Sequence, residues 1–246
     1  MEKYIAHRNE VTGSIQTVKA HCENTAELCR EFSVPELKDF MFAIGLLHDV
    51  GKFQESFVKR INGANIRVEH STCGALAAHE NYTTGPMALM MEYCIAGHHS
   101  GIPDGGFVND SSDMLTLHGR MKRQFEDYSE YKEELSLPKL GEQDWLLYLV
   151  NDCNNDIEKV IDKFAFLTRY AFSCLVDADS IDTADFCKER ELPRKLKADF
   201  KACLQTVDDR LASFACKTEL QKTRSLLQKR AFQNVSQDAE IYLLNM

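Results

Sequence analysis

The stretch Phe40-Met-Phe-Ala-Ile-Gly-Leu-Leu-His-Asp-Val-Gly-Lys52 decides the fold of this chain of 246 residues. It begins with a run of apolar residues, which is typical of a helix at the centre of a core. The run ends at an imidazole and a carboxylate side by side, His48 and Asp49. Burying both groups is costly unless they are paired or bind a cation. The stretch therefore predicts a central helix over 36–49 with metal ligands at its buried end.

Helical periodicity dominates the rest of the chain. Apolar residues recur at three- and four-residue spacing over 14–32, which predicts a first helix with His21 beside its apolar stripe. The loop predicted over 100–113 follows the glycine-flanked pair His98-His99, so it is a candidate rim of the site. The pattern predicts an all-α fold, with further helices over 72–80, 87–96, 114–134, 143–151, 156–178, 193–215 and 217–234.

Charge and hydropathy exclude some classes of protein. The formal net charge of −9 argues against broad electrostatic binding to nucleic acid, although it does not exclude a nucleic-acid substrate. The basic clusters at 59–60, 120–123 and 194–197 are interpreted as solvated helix faces. No apolar run approaches the roughly 20 residues that span a bilayer, and the first residues lack a secretory signal. We therefore expect a cytoplasmic protein with no membrane partner.

The nine cysteines do not form a metal or disulfide framework. They are scattered, odd in number and contain no Cys-x-x-Cys pair, which argues against a zinc ribbon. Several fall on helical apolar faces, where a free thiol behaves as a small hydrophobe, so a reducing compartment is expected.

Other histidines and carboxylates are candidate ligands, although each alone has a structural interpretation. A lone histidine is more often exposed or hydrogen-bonded in a core than bound to a metal, and His7, His79 and His118 are interpreted in that way. The remaining candidates are His21, His70, His98 and His99, with an acidic cluster at Asp177, Asp179 and Asp182. Imidazole and carboxylate suit Mn, Fe, Co, Ni and Zn better than calcium.

A two-metal site needs a bridging carboxylate, and Asp49 is the obvious candidate. Two ions about 3.5–4 Å apart can polarise a phosphoryl group, lower the pKa of bound water and hold the attacking and leaving oxygens. This chemistry is hydrolysis of a phosphoester.

The whole constellation resembles the HD superfamily of metal-dependent phosphohydrolases, whose signature is a His, then His-Asp, then a later Asp, all on helices. Here these would be His21, His48-Asp49 and Asp179. Glu69-His70-Ser71-Thr72 and Gly97-His98-His99-Ser100-Gly101 are similar to a narrower group, the HD nuclease domain of the CRISPR-associated helicase-nuclease of type I systems. The resemblance covers nearly the whole chain.

The resemblance implies an HD-domain helical fold with a dimetal site. Asp49 and Lys52 would be catalytic, Lys52 as a cation near the scissile phosphate that is not a ligand. Asp179 is preferred as ligand over Asp177, which is the fallback and is otherwise a solvated or capping carboxylate. Two divalent transition-metal ions are implied, with Mn, Co, Ni or Fe favoured and Mg or Zn as further options. One ion would be held by His21, His48, Asp49 and Asp179, and the other by Asp49, His70, His98 and His99.

Members of this family cut single-stranded DNA, first nicking the strand displaced by a guide-RNA surveillance complex and then degrading it as a helicase feeds it through. The resemblance thus implies a nuclease of antiviral defence, whose partners are single-stranded DNA, the surveillance complex and a helicase domain or subunit. This sequence contains no Gly-x-x-x-x-Gly-Lys-Ser/Thr phosphate loop. We expect residues 1–235 to form the nuclease domain, and 236–246 to be a terminal strand or tail, interpreted as the stub of a missing helicase domain.

Two other functions stay open on the residues alone. An HD phosphohydrolase acting on nucleotides or cyclic nucleotides would use the same ligands in a closed pocket. A docking module for the surveillance complex would hold one structural metal or none, and would not need a bridging carboxylate with Lys52 beside it.

Overall fold

The computed structural model describes residues 3–82, 85–140, 144–154, 156–188, 199–214 and 217–233. The fold is mostly helical, with 64% helix and 3% strand, which agrees with the expected all-α class. Contacts divide the chain into a first unit, Met1–Leu192, and a second unit, Pro193–Met246. All candidate ligands lie in the first unit. The domain limit expected at 235 and the strand expected near 239–246 lie outside the described residues.

The first unit contains a short antiparallel hairpin and nine described helices. The strands are β1 (Ile5–Arg8) and β2 (Ile15–Thr17). The helices are α1 (Val18–Phe32), α2 (Lys38–Leu47), α3 (Glu55–Ile61), α4 (Ser71–Asn81), α5 (Gly85–Gly97), α6 (Leu117–Arg120), α7 (Tyr131–Glu134), α8 (Asp144–Asp152) and α9 (Ile157–Lys188). Short 3-10 turns at Pro35–Leu37 and Val50–Phe53 flank α2.

Helix α2 lies at the centre of the core, because its sequence is apolar on almost every side. It packs against α1, α4, α5 and α9. Phe40, Met41, Ile44 and Leu47 are at most 1% exposed, and each such side chain contributes roughly 1.5–3 kcal/mol on burial. The helix predicted over 36–49 ends at Leu47 instead, so the His48-Asp49 pair follows it within the core.

Two predicted helix boundaries were wrong. Residues 15–17 form β2, which pairs with β1, and α1 begins only at Val18. The Thr17 side chain accepts a hydrogen bond from the backbone N of Ala20 and so caps the helix. Helix α9 runs on to Lys188, ten residues beyond the predicted end at 178.

The continuous helix predicted over 114–134 was also wrong, since only α6 and α7 are helical there. The Arg123 side chain donates to the carbonyl oxygens of Ser112 and Met114, at 2.9 and 3.1 Å. Glu126 accepts a hydrogen bond from the backbone N of Ser56 at 2.7 Å. These contacts with distant backbone groups hold the segment in an irregular path despite its helical propensity.

The second unit contains α10 (Phe200–Ala212) and α11 (Glu219–Gln233). Asp199 caps α10, because its carboxylate accepts hydrogen bonds from the backbone N of Lys201 and Ala202. The helices predicted over 193–215 and 217–234 therefore occur with shorter described limits.

The cysteines of the described part of the chain are free thiols, six of them buried. No helix among the described residues combines the length and apolar character that a membrane crossing requires.

Candidate metal centre

Four helices and the turn after α2 bring seven candidate ligands into two groups of four. In each group, the possible ligand atoms all lie within 4.8 Å of one another. His21 comes from α1 and Asp179 from α9, while His48 and Asp49 follow α2. His70 precedes α4, and His98-His99 follow α5. The groups are His21, His48, Asp49 and Asp179, and Asp49, His70, His98 and His99, the same two sets that the resemblance implied.

The first group converges on Oδ2 of Asp49. His21 Nε2 lies 3.1 Å from that oxygen and 3.3 Å from Asp179 Oδ1. His48 Nε2 lies 3.4 Å from Asp49 Oδ2 and 3.2 Å from His21 Nε2. The side chains of His21, His48 and Asp49 are fully buried.

The second group uses the other oxygen of the same carboxylate. Asp49 Oδ1 lies 3.3 Å from His70 Nε2 and 3.4 Å from His98 Nε2. His70 Nε2 also lies 2.8 Å from His99 Nε2. Asp49 therefore faces each group with a separate oxygen, which is the arrangement of a bridging carboxylate.

Outer hydrogen bonds fix the orientation of three imidazoles. His48 Nδ1 donates to the Gly45 carbonyl and His98 Nδ1 to the Ile95 carbonyl, both at 2.7 Å. His21 Nδ1 donates to Asp182 Oδ2 at 2.6 Å. A carbonyl or carboxylate oxygen only accepts, so each Nδ1 carries a proton and each ring turns its Nε2 toward the centre, where that atom offers a lone pair once the ring is neutral. Metal-binding histidines are commonly oriented in this way.

The unpartnered atoms fit a bound cation. Among the described residues, buried Asp49 Oδ1 and His98 Nε2 have no hydrogen-bond partner. Two pairs of Nε2 atoms also face each other at hydrogen-bond distance, His21 with His48 and His70 with His99. Nε2 atoms that face one another and carboxylates in a buried site need positive charge among them, which protons or a bound cation can supply. These buried His and Asp groups could hold a metal ion.

The pKa shifts reflect the same concentration of acceptors. Although burial opposes charge on His48, the nearby carboxylates of Asp49 and Asp179 raise its pKa to about 10. Burial alone would raise the pKa values of Asp49 and Asp179. The positive charges of Lys52 and His48 nevertheless hold the pKa of Asp49 well below its usual value. Hydrogen bonds from His21 and His48 do the same for Asp179. In the metal-free protein, protons and Lys52 supply the positive charge that the carboxylates require.

Lys52 lies beside the bridging carboxylate. Its Nζ is 2.6 Å from Asp49 Oδ2, and its side chain is 6% exposed. It also lies 3.4 Å from His7 Nε2. Burial, followed by the charge of Lys52, lowers the pKa of His7 to about 3. His7 is therefore a neutral acceptor for the ammonium group.

Two residues that were not assigned to either ligand set lie beside the centre. The structure places His7 edge-on to His21, with ring centroids 4.7 Å apart. Asp182 accepts hydrogen bonds from His21, from Gln16 at 2.7 Å and from Asn24 at 2.9 Å. A signal existed for Asp182, because it lies three residues after Asp179 and so shares its helix face. His7, interpreted from the sequence as structural, lies on a four-residue strand.

The other candidates lie away from the ligand groups. Asp177 is exposed on α9. His79 pairs with Glu92 at 2.7 Å, and His118 is exposed at α6. None of the three belongs to either described group of possible ligands.

Two glycines let the segments approach closely enough to form the centre. A Cβ at Gly51 would lie 2.2 Å from the carbonyl oxygen of His70, and one at Gly74 would lie 2.2 Å from that of Leu47. Real Cβ atoms do not approach backbone so closely. Glycine therefore allows the turn after α2 to contact the residue that precedes α4, and lets α4 contact the end of α2.

Two open clefts meet at His70 and His99. The first has a volume of about 930 Å³ and is lined by Glu69, Arg120 and residues of the loop that follows His99. The second, of about 500 Å³, contains His7 and Lys52. His99 is the exposed member of its ligand group. The loop expected as a rim does line the first cleft.

Comparison with protein-family models gives no match for this chain. No curated protein matches it either. The likeness to HD nucleases therefore stays a prediction drawn from the motifs, and arguments about function depend on the geometry of the centre.

Proposed function

We propose that this chain is a metal-dependent phosphodiester hydrolase of the HD type that cuts single-stranded DNA. The cofactors would be two divalent transition-metal ions, with Mn, Co, Ni or Fe favoured. One would be held by each of the two ligand groups, with Asp49 shared between them.

The observation that carries the proposal is the sharing of Asp49. Its two oxygens face separate groups of ligands, at 3.1 Å from His21 Nε2 and 3.3 Å from His70 Nε2. A structural site needs one closed set of four ligands, whereas a carboxylate between two incomplete sets favours two-metal phosphoryl chemistry. A purely docking role gives no reason for such a carboxylate.

The two clefts favour an extended substrate over a small one. Both include His70 and His99 in their lining, so an extended chain bound across these residues could occupy the two clefts at once. A nucleotide phosphohydrolase would instead need a pocket that encloses one base and one sugar. The open surface around His99 therefore supports a polynucleotide substrate.

The residues of the chain would divide the work as follows. Bound divalent cations would polarise the phosphodiester and activate a water molecule. Asp49 bridges the two ligand groups, and Asp182 holds His21 with its Nε2 facing inward. Lys52 orients the Asp49 carboxylate, and its charge faces a phosphate that enters the second cleft. His7 accepts a hydrogen bond from Lys52 and keeps the ammonium near the carboxylate.

The proposed partners follow from the resemblance. A helicase domain or subunit and a guide-RNA surveillance complex would deliver the strand. The net charge of −9 is consistent with delivery, because an acidic protein attracts DNA weakly by itself. The isolated chain is expected to cut DNA in the presence of metal but to bind it with low affinity.

The test uses the full chain stripped with a chelator and incubated with circular single-stranded DNA. Mn, Co, Ni, Mg or Zn is then added separately. Wild type is compared with Asp49→Ala and with the matched control Asp39→Ala, since Asp39 is an exposed aspartate at the start of α2. Cutting that requires metal, is lost in Asp49→Ala and persists in Asp39→Ala is the expected result.

Other outcomes of this assay would favour one of the two alternative functions. Hydrolysis of nucleotides that depends on Asp49, without cutting of the circle, would reassign the chain to small-molecule phosphohydrolases. Inactivity on both substrates with every metal would leave the docking role and overturn the proposal.

A further inference from the structure

The second cleft has a charge distribution that the ligand groups do not explain. Its lining includes His70 and His99 of the ligand groups, Lys52, and the two arginines Arg8 and Arg60. Arg8 ends β1 and Arg60 lies on α3, so two separate elements contribute an arginine to one cleft. Sequence alone had suggested that Arg60 belongs to an ordinary solvated helix face.

Neither arginine is neutralised within the described part of the chain. No described carboxylate forms an ion pair with Arg8 or Arg60, although Glu10 also lines the cleft. The Arg8 side chain donates a long hydrogen bond to Asn62 Oδ1, at 3.5 Å. The Arg60 guanidinium lies 5.6 Å from the centre of the Phe57 ring. Both side chains therefore keep their donors available for an anion.

The first cleft differs in this respect. Its Arg120 donates to Glu69, Ser71 and Thr72 and is buried. Its Arg123 is engaged by two backbone carbonyls. The arginines of the first cleft thus use their donors in bonds within the protein. Asp104 and Asp113 add negative charge to the lining of that cleft. An anionic chain is therefore better accommodated on the side of Arg8 and Arg60.

We infer that the second cleft binds the phosphates of the DNA strand next to the scissile phosphodiester, through Arg8 and Arg60. The inference rests on the proposed function and adds a direction to it, because the strand would lie with its phosphates toward β1 and α3. Guanidinium groups suit this task since they bind phosphate through paired N–H donors. Lys52 then lies between this subsite and the ligand groups.

The experiment compares a double variant, Arg8→Gln with Arg60→Gln, with a control that removes the same charge elsewhere. The control is Lys38→Gln with Lys59→Gln, because both lysines are exposed and neither lines a cleft. Each protein is assayed with metal on a short single-stranded oligonucleotide and on bis(p-nitrophenyl) phosphate, a phosphodiester with no flanking phosphate. Binding of the oligonucleotide to metal-free protein is measured by fluorescence anisotropy at several salt concentrations.

We expect the Arg8/Arg60 variant to lower the ratio of kcat/KM for the oligonucleotide to that for the small diester by at least about tenfold. Each lost phosphate contact should also reduce the slope of log affinity against log salt by about 0.7. The control should keep the wild-type ratio and slope.

The outcomes separate the two claims. If wild type cuts the oligonucleotide and the Arg8/Arg60 variant has the wild-type ratio and salt slope, the inferred subsite is wrong while the nuclease stands. If wild type hydrolyses the small diester but never the oligonucleotide, the proposed DNA substrate is wrong. Equal losses in the control and the Arg8/Arg60 variant would show a general charge effect and overturn the inference.

Discussion

Replacing Gly51 with alanine tests whether close backbone packing builds the metal centre. A Cβ at this position would lie 2.2 Å from the His70 carbonyl oxygen and 2.6 Å from its Cα, whereas ordinary contact begins at 3.4 Å. Both neighbours are backbone atoms, so no side-chain rotation relieves the overlap. The two segments must separate by about 1 Å, and such overpacking costs about 1–3 kcal/mol of unfolding free energy.

The same displacement acts on the ligands. Distances from a metal to its ligands tolerate changes of about 0.2 Å, so a shift of about 1 Å takes His70 out of its group. Asp49 lies two residues before Gly51 and is coupled to the same movement. The variant is expected to lose high-affinity binding at the group of Asp49, His70, His98 and His99, and with it the metal-dependent activity.

Urea denaturation of the metal-free proteins and metal stoichiometry by mass spectrometry provide the two readouts. Gly63→Ala is the control, because its Cβ meets nothing within 4 Å while its φ of +104° disfavours alanine. It should lose about 1 kcal/mol of stability through backbone strain and bind metal normally. Wild-type stability and stoichiometry in Gly51→Ala would refute the packing argument.

Three further predictions concern the ligands. Asp179→Asn should remove one bound metal, whereas Asp177→Asn should retain both, as judged by stoichiometry; the opposite pattern would make Asp177 the ligand. Asp182→Asn should weaken metal affinity by about 10–100-fold because the hydrogen bond that orients His21 loses its charged acceptor. A competition titration with a chromophoric chelator measures this, and unchanged affinity would contradict the assigned role of Asp182. Since the pKa of His48 is about 10 in the metal-free protein, its imidazole is protonated at pH 8 and must lose that proton to bind a metal. Metal binding should therefore release protons, and affinity should rise with pH; calorimetry in buffers of different ionisation enthalpy that detects no release would exclude this.

The sequence predicted the candidate site best where an apolar run ends at polar side chains. The run before His48 identified the central helix, and the glycines beside His98-His99 indicated a close approach of the backbone. Two residues apart on α9, Asp177 and Asp179 must point in different directions, and the sequence predicts that much. Which of them faces the centre depends on how α9 is rotated about its own axis where it packs against α1. That rotation depends on tertiary packing, which local periodicity does not encode.

The irregular segment between α6 and α7 was beyond prediction for a similar reason. Its residues have helical propensity, yet Arg123 and Glu126 bind backbone groups that are distant in sequence. The hairpin of β1 and β2 was missed because its strands have only four and three residues. Periodicity needs a longer window to be recognised.

The ion pair of Lys52 with Asp49 has a consequence for how the protein is assembled. Small zinc domains fold only when their metal arrives, because nothing else compensates the ligands. Here the ammonium group of Lys52 already balances the fully buried Asp49 carboxylate, so we expect folding to be complete before any ion is captured. If the proposed function holds, metal acquisition would be a late and reversible step, and the availability of ions in the surroundings would turn the activity of a folded protein on or off without unfolding it.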